Sequence, residues 1–239
     1  MKKKVLITGA SRGLGLAISK LLAADYHLIL HATTPESFTE TISGADILCA
    51  DLSDAAQVAE FCKQLKKQHG NELYGVINNA GVTFDTSIIY QQEKHIEAML
   101  NINLRAPIMI CKTVMKIFSA NGGGVIINMS SIVGQSGNAF QAVYAATKAG
   151  LVAFTKSLAQ EAAAVGDDHN IRVLCVSPGF IDTDMTANVP AEMKEKYLSI
   201  IPAKRMGRPE EVAQTVAFLL SDKASYINGT NIHVNGGLF

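Results

Sequence analysis

Short runs of aliphatic and β-branched residues recur along the chain, with longer mixed segments between them. The first four are KVLIT at Lys4–Thr8, HLILHA at His27–Ala32, DILCA at Asp46–Ala50 and LYGVIN at Leu73–Asn78. VIINMS at Val125–Ser130, IRVLCVS at Ile171–Ser177 and NIHVN at Asn231–Asn235 complete the set. These runs are nearly continuous rather than alternating, which is the pattern of strands covered on both faces and hence of a parallel sheet. The intervening segments carry a helical period and predict helices over 13–24, 54–69, 92–119, 142–165 and 209–220. The last opens on Pro209 and two glutamates, where a preset φ and negative charge suit a helix N-terminus. Strand and helix in alternation predict an α/β fold, a doubly wound Rossmann-like three-layer sandwich with a seven-stranded parallel sheet and right-handed crossovers.

The length of 239 residues fits one domain spanning 1–239. No repeat, low-complexity tract or linker divides it, and Gly122-Gly123-Gly124 reads as a turn between a helix and a strand. The segment Asp182–Met206 lacks a strand run and is rich in Met and charge. It reads as a surface helical excursion or as a mobile substrate lid, since connections of that length are uncommon without a role.

Lys plus Arg number 21 and Asp plus Glu 21, giving a formal charge of +0 without long like-charge runs. That balance argues against a nucleic-acid or membrane surface and for a small-molecule partner. Cys49, Cys62, Cys111 and Cys175 lie far apart with no CxxC pair. They read as buried thiols in a reducing compartment, with no disulfide frame and no metal site. The apolar run after the N-terminal lysines is short and is broken by Thr8 and Gly9, unlike a signal peptide, and no run reaches the roughly 18 residues of a membrane span. The expected location is the cytoplasm.

The candidate chemistry begins at T8-G-A-S-R-G-L-G15, which follows a strand and opens a helix. Glycines at 9, 13 and 15 let backbone amides approach a pyrophosphate at a positively polarised helix N-terminus, in a GxxxGxG spacing rather than GxGxxG. NAD-specific sites place an acid on the ribose 2′-hydroxyl at the tip of the second strand. Here that tip reads H31-A-T-T-P-E36, with Arg12 and Thr34 available for a 2′-phosphate, so NADPH/NADP+ is the expected cofactor. Glu36 would oppose this if its loop turned inward, and Arg12 has an alternative as a solvated loop charge. Asp51 suits an adenine amino group or a helix N-cap, with Ser53 and Asp54 competing for the cap. Asn78 and Asn79, in N78-N-A-G81, either satisfy strand-end backbone or face the cofactor. Finally, VYAATKAG at Val143–Gly150 places Tyr144 and Lys148 one helical turn apart. Alone, such a pair reads as a boundary aromatic and a snorkelling cation.

Together, TGxxxGxG, NNAG, a serine thirteen residues before YxxxK, and the P178-G-F-I-D-T183 turn resemble the short-chain dehydrogenase/reductase family over essentially the whole chain. SIVGQSGNAFQAVYAATKAG, SPGFIDTDMT, IPAKRMGRPEEVA and INGTNIHVNGG are most similar to 3-oxoacyl-[acyl-carrier-protein] reductases. The resemblance implies a catalytic tetrad of Asn103, Ser131, Tyr144 and Lys148. Tyr144 would protonate the alkoxide, and since a free phenol near pKa 10 is mismatched to neutral pH, the Lys148 cation would lower it. Ser131 would donate to the substrate oxygen, and Asn103 would hold a water joining Lys148 to solvent.

The implied cofactor contacts are Gly9, Ser11, Arg12, Gly13, Leu14 and Gly15 in the turn, with Thr34, Asp51 and Leu52 on the adenosine side. Asn79, Ala80, Gly81, Tyr144, Lys148, Pro178, Gly179, Ile181 and Thr183 continue them toward the nicotinamide. Substrate walls fall on Ser131, Phe140, Gln141, Tyr144, Phe180 and Met185. The implied reaction is NADPH-dependent reduction of a 3-oxoacyl thioester, with an acyl carrier protein as partner, in a homotetramer built on the helices near 92–119 and 142–165 and the C-terminal segment. An acidic carrier protein favours basic residues around the mouth. N121-G-G-G124 and A162-A-A-V-G166 hold no arginine, leaving Arg105, Lys112, Lys116 and Lys156 as a different basic set. The other readings are a dehydrogenase of a free ketone, sugar or hydroxyacid using NAD(H), and a non-catalytic dinucleotide-binding scaffold, against which an intact Ser131, Tyr144 and Lys148 argue.

Overall fold

The computed structural model describes residues 2–165, 170–187, 189 and 191–238. Among these, β1 (Lys4–Ile7), β2 (His27–Ala32), β3 (Asp46–Cys49), β4 (Leu73–Asn78), β5 (Gly124–Met129), β6 (Ile171–Pro178) and β7 (Asn231–Val234) form one sheet. Its order is β3-β2-β1-β4-β5-β6-β7, and every pairing is parallel. The order reverses between β1 and β4, which opens a crevice at the carboxyl ends of the strands, the usual ligand position in such sheets.

The helices are α1 (Gly13–Leu22), α2 (Ala55–His69), α3 (Glu93–Leu100), α4 (Ala106–Asn121), α5 (Val133–Ser136), α6 (Ala142–Val165), α7 (Asp184–Ala187), α8 (Ala191–Ile200) and α9 (Pro209–Leu220). Strand side chains alternate between two cores. Val5, Ile7, Leu30 and Ile127 pack with Ile18 and Leu22 of α1 and Val212, Val216 and Leu219 of α9. Leu6, Ile29, Val76 and Ile126 face Phe61 and Leu65 of α2, Val114 and Phe118 of α4, and Leu158 of α6. Both faces therefore demand apolar side chains, the physical origin of the continuous strand runs.

The expected helix over 92–119 is three pieces. Between α3 and α4 lies a π-helical turn, Asn101–Arg105, in which the Ala106 amide bonds the Asn101 carbonyl five residues back. Pro107 supplies a reason, because it has no N–H for the carbonyl of Asn103 four residues earlier and cannot continue an α-helical ladder there. The strandless segment 182–206 holds α7 and α8. Cys62, Cys111 and Cys175 are buried free thiols, and Cys49 is only half-buried, at the edge strand.

Gly122 ends α4 at φ 77, and a Cβ on Gly124 would lie 2.5 Å from the Phe118 ring. Phe118 thus seals the junction of α4 and β5 with 0% exposure. Replacing it, Phe118→Ala, is expected to destabilise the fold by about 3–5 kcal/mol in urea unfolding.

Candidate active site

A cavity of about 760 Å³ runs along the carboxyl edge of the sheet. One end is the glycine turn, where Gly9, Ser11, Arg12, Gly13 and Leu14 line the wall. Gly9 sits at φ +63, and a Cβ there would meet the Ala80 Cα at 2.8 Å. Gly15 lies beneath the turn, where a Cβ would stand 2.0 Å from the Gly9 carbonyl oxygen, so it permits close packing rather than contact. The Arg12 side chain leaves the start of α1 uncapped. The first-turn amides of a ten-residue helix therefore face the cavity with their partial positive charge.

Thr33 and Ser37 line the adenosine side, whereas Thr34 is exposed off the wall with its hydroxyl 3.2 Å from that of Ser37. Glu36 is exposed and also off the wall, so the strand tip brings no acid to the cavity. Its carboxyl is held below the usual range by hydrogen bonds from its own amide and from Thr34. Asp54 caps α2, accepting from the Ala56 and Gln57 amides at 2.7 and 3.3 Å. Asp51 is thereby released from capping and lines the cavity with Leu52, its Oδ1 accepting from the Ser53 amide and hydroxyl.

The two asparagines of NNAG divide. Asn78 is buried and donates to Asn128 Oδ1 at 2.8 Å, a tie between strands. Asn79 lines the cavity with Ala80 and Gly81 while its Nδ2 donates to the Thr8 and Gly9 carbonyls, which binds the glycine turn to the end of β4.

The other end of the cavity holds Tyr144, Lys148, Pro178 and Thr183. The Lys148 ammonium lies 5.6 Å from the centroid of the Tyr144 ring and donates to the Met129 carbonyl at 2.8 Å. Lys148 is 4% exposed, and burial lowers its pKa to about 8. Burial likewise raises Tyr144 to about 12; the hydrogen bond from Ser131 opposes that rise, and the charge of Asp85 adds to it. In this arrangement the phenol stands above its ordinary value. Desolvation is the largest effect on the phenol, and the ammonium donates to a backbone carbonyl. Of the two serines after β5, Ser130 donates to the Lys148 carbonyl at 2.8 Å and is structural, leaving Ser131 beside the phenol.

Asn103 sits in the π-helical turn with 0% exposure. Its side chain is fully engaged with the Val82 backbone, accepting from the amide and donating to the carbonyl, both at 2.8 Å. Gly81 gives the cluster room, since a Cβ would stand 3.3 Å from Lys148 Nζ and 3.4 Å from Asn103 Oδ1.

Gly179 and Ile181 lie off the wall. Gly179 admits Asn235, whose Cα a Cβ would meet at 2.8 Å, and Ile181 is a core side chain. Phe140, Gln141 and Phe180 also lie off the wall. Gln141 donates to Asp85 at 2.8 Å, Asn138 donates to Gln141 and to the Tyr197 hydroxyl at 2.9 and 3.0 Å, and Tyr197 of α8 packs on Phe180 at 4.7 Å. The Met185 side chain lies outside the described residues. The wall also takes in His31, Val82, Phe84, Ile102 and Asp184, which sequence motifs did not single out.

The chain is similar to known proteins over its whole length. The model of a family described as enoyl-(acyl carrier protein) reductase matches residues 9–239. The 3-oxoacyl-[acyl-carrier-protein] reductase FabG of Escherichia coli strain K12 is 39% identical over 242 residues, covering 99% of this chain and 97% of that protein. The protein of the same name from Staphylococcus aureus strain Mu50 is 39% identical over 248 residues, covering 100% and 99%. A glycine turn at a switch point, a buried lysine one turn beyond a cavity-facing tyrosine, and full-length identity at this level agree: the chain belongs to the short-chain dehydrogenase/reductase family.

Proposed function

We propose that this enzyme reduces a 3-oxoacyl thioester, carried on an acyl carrier protein, to the 3-hydroxyacyl thioester with NADPH, in fatty-acid or related acyl-chain biosynthesis. One observation carries the reading: Tyr144, with Ser131 against its phenol, and Lys148 stand at one end of a cavity whose other end is an uncapped glycine turn with Arg12 and no acid at the strand tip. The relatives' printed names give 3-oxoacyl-[acyl-carrier-protein] as what those enzymes reduce, and full-length similarity supports the same chemistry here.

The residues present fit a nicotinamide dinucleotide. Helix α1 would take the pyrophosphate on its first amides, Arg12 and Thr33 a 2′-phosphate, Asp51 the adenine, and Thr183 the carboxamide. When bound, that cofactor supplies the hydride. The chain supplies the proton and the polarisation. Ser131 donates to the carbonyl oxygen as negative charge develops there, an interaction stronger in the transition state than in the ground state. Tyr144, neutral below about pH 12, holds the proton that the alkoxide takes. The Lys148 cation, present below about pH 8, stabilises the phenolate left behind. Asp85, Gln141, Asn138 and Tyr197 tie α8 across the mouth, consistent with segment 182–206 acting as a lid.

Arg105, Lys112, Lys116 and Lys156 are exposed on the π-helical turn, α4 and α6 and offer a basic face to an acidic carrier. Helix α6 also presents Ala146, Ala149 and Ala153 to solvent, small residues suited to close helix contact in a homotetramer. Light scattering decides the assembly, and a monomer at micromolar concentration would remove it.

The function is tested by steady-state rates with a carrier-bound 3-oxoacyl thioester, an enoyl thioester and a simple ketone, each with NADPH and NADH. The 3-oxoacyl thioester with NADPH should give the highest kcat/KM; preferred turnover of the enoyl thioester or the ketone would replace the reading. Tyr144→Phe should lose about 10²–10⁴-fold in kcat. The reductive kcat/KM should fall as pH rises through about 8, because Lys148 discharges there while Tyr144 stays protonated.

Lys148→Met should abolish turnover and yet raise the melting temperature at pH 7. Lys148 has its folded pKa below the ordinary 10.5, so the wild type carries the burial penalty in full below about pH 8 and sheds it as pH rises toward 10.5. The variant's advantage should shrink over that interval, and a pH-independent difference would contradict the assignment.

A further inference from the structure

His31 closes β2 beneath the glycine turn with 3% exposure and takes no part in the scheme above. Both ring nitrogens are committed. Nδ1 accepts from the Gly9 amide at 3.2 Å, and Nε2 lies 3.0 Å from the Ala50 carbonyl. A carbonyl only accepts, so Nε2 carries the proton and the ring is the neutral Nε2–H tautomer. Its edge contact with Phe61, at 5.2 Å between centroids and 78° between planes, fixes the ring from the side of α2. The backbone reinforces this, with the Ala10 amide donating to the His31 carbonyl at 2.8 Å and the Ala50 amide to the Ala32 carbonyl at 3.2 Å.

One residue therefore joins the glycine turn, the end of β2 and the end of β3, three parts of the cofactor wall. Gly9 has little freedom of its own, pressed against Ala80 and accepting from Asn79. We propose that His31 is a positioning residue for the dinucleotide: neutral, it holds the Gly9 amide and with it the turn; protonated, it turns a second N–H toward that amide and releases the turn.

Ionisable groups on the elements packed around it include Lys4 on β1, Asp46, Cys49 and Asp51 on β3 and just after it, Glu60, Cys62 and His69 on α2, and Arg12 in the turn. Asp51 is engaged by Ser53. Burial lowers the His31 pKa below its ordinary 6.5, with the Ala50 carbonyl opposing. The neutral form that grips Gly9 thus predominates at pH 6.5 and above, and coenzyme affinity should fall as pH drops through the lowered His31 pKa.

The inference rests on the cavity holding a nicotinamide dinucleotide and not on the substrate, so coenzyme alone tests it. Dissociation constants for NADPH and NADH are measured at pH 8 and pH 5.5 for the wild type, His31→Gln and His31→Phe, with melting temperatures at pH 8 as the check on folding. NADH is needed because the 2′-phosphate of NADPH itself titrates near pH 6. The wild type should bind NADH more weakly at the lower pH, by less than about tenfold because the His31 pKa lies below 6.5. His31→Gln keeps one acceptor and one donor without a titration, so it should bind within about threefold of wild type at pH 8 and show no acid loss. His31→Phe keeps the ring and loses both bonds, so it should bind about tenfold more weakly at either pH. A flat wild-type NADH profile, or an acid loss in His31→Gln equal to that of the wild type, would overturn the proposal.

Discussion

A lysine ammonium buried under the end of a parallel sheet is the constraint around which the rest of this site is arranged. Lys148 reaches the interior from α6 and finds the Met129 carbonyl at the end of β5. An unpaired buried cation is costly, so the elements that approach it must do so closely and without competing bulk. Gly134 allows this on one side, where a Cβ would meet the Ala149 amide at 2.8 Å, and Gly81 allows it on another. Ser130 ties the Lys148 carbonyl to the same strand end. The conformation that buries Lys148 also faces Tyr144 into the cavity, one turn earlier on the same helix. Packing and the proposed chemistry thus share a single set of contacts, with burial of the cation destabilising the fold at neutral pH.

The two ends of the cavity solve opposite electrostatic problems. At the glycine turn, positive potential comes from amides and from an exposed arginine, which remain well solvated and require little stabilisation from the protein. At the tyrosine end, burial moves both titrating groups in the direction that favours the uncharged form, Tyr144 up and Lys148 down. The phenol is left protonated, the state that reduction consumes. A site biased toward the neutral phenol favours delivery of a proton over its removal.

Much of this was legible in the chain itself, for reasons that differ by element. The strands were visible because each is buried on both faces, and the glycine turn because a Cβ would stand 2.8 Å from the Ala80 Cα at position 9 and 2.0 Å from the Gly9 carbonyl oxygen at position 15. Asp54 over Asp51 as the cap of α2 was an open choice, since both precede the helix and only the backbone path separates them. The π-helical turn was hidden, because its residues continue a helical pattern and the sole signal was Pro107, four residues after Asn103. Thr33 rather than Thr34 lines the cavity because the chain bends at these two residues past the end of β2, a path that no strand pattern records. His31 left no motif at all. A histidine in an apolar strand reads as an isolated polar residue, and its partners lie in the turn 22 residues before it and the strand end 19 residues after it.

The direction of the phenol's pKa was illegible for a deeper reason. Spacing places Lys148 one turn from Tyr144, and a cation at that range lowers a phenol in water-like surroundings. Whether it does so inside a protein depends on how much hydration both groups lose and on where the ammonium points, and neither is a property of YxxxK. Burial acts on the pair with the same sign of penalty on each charged form, whereas their mutual attraction is realised only when both are charged. Here the ammonium faces a carbonyl, so desolvation prevails and each group stays closer to neutrality. The motif therefore specifies which residues meet, and the surrounding strand end and π-helical turn determine what protons they hold.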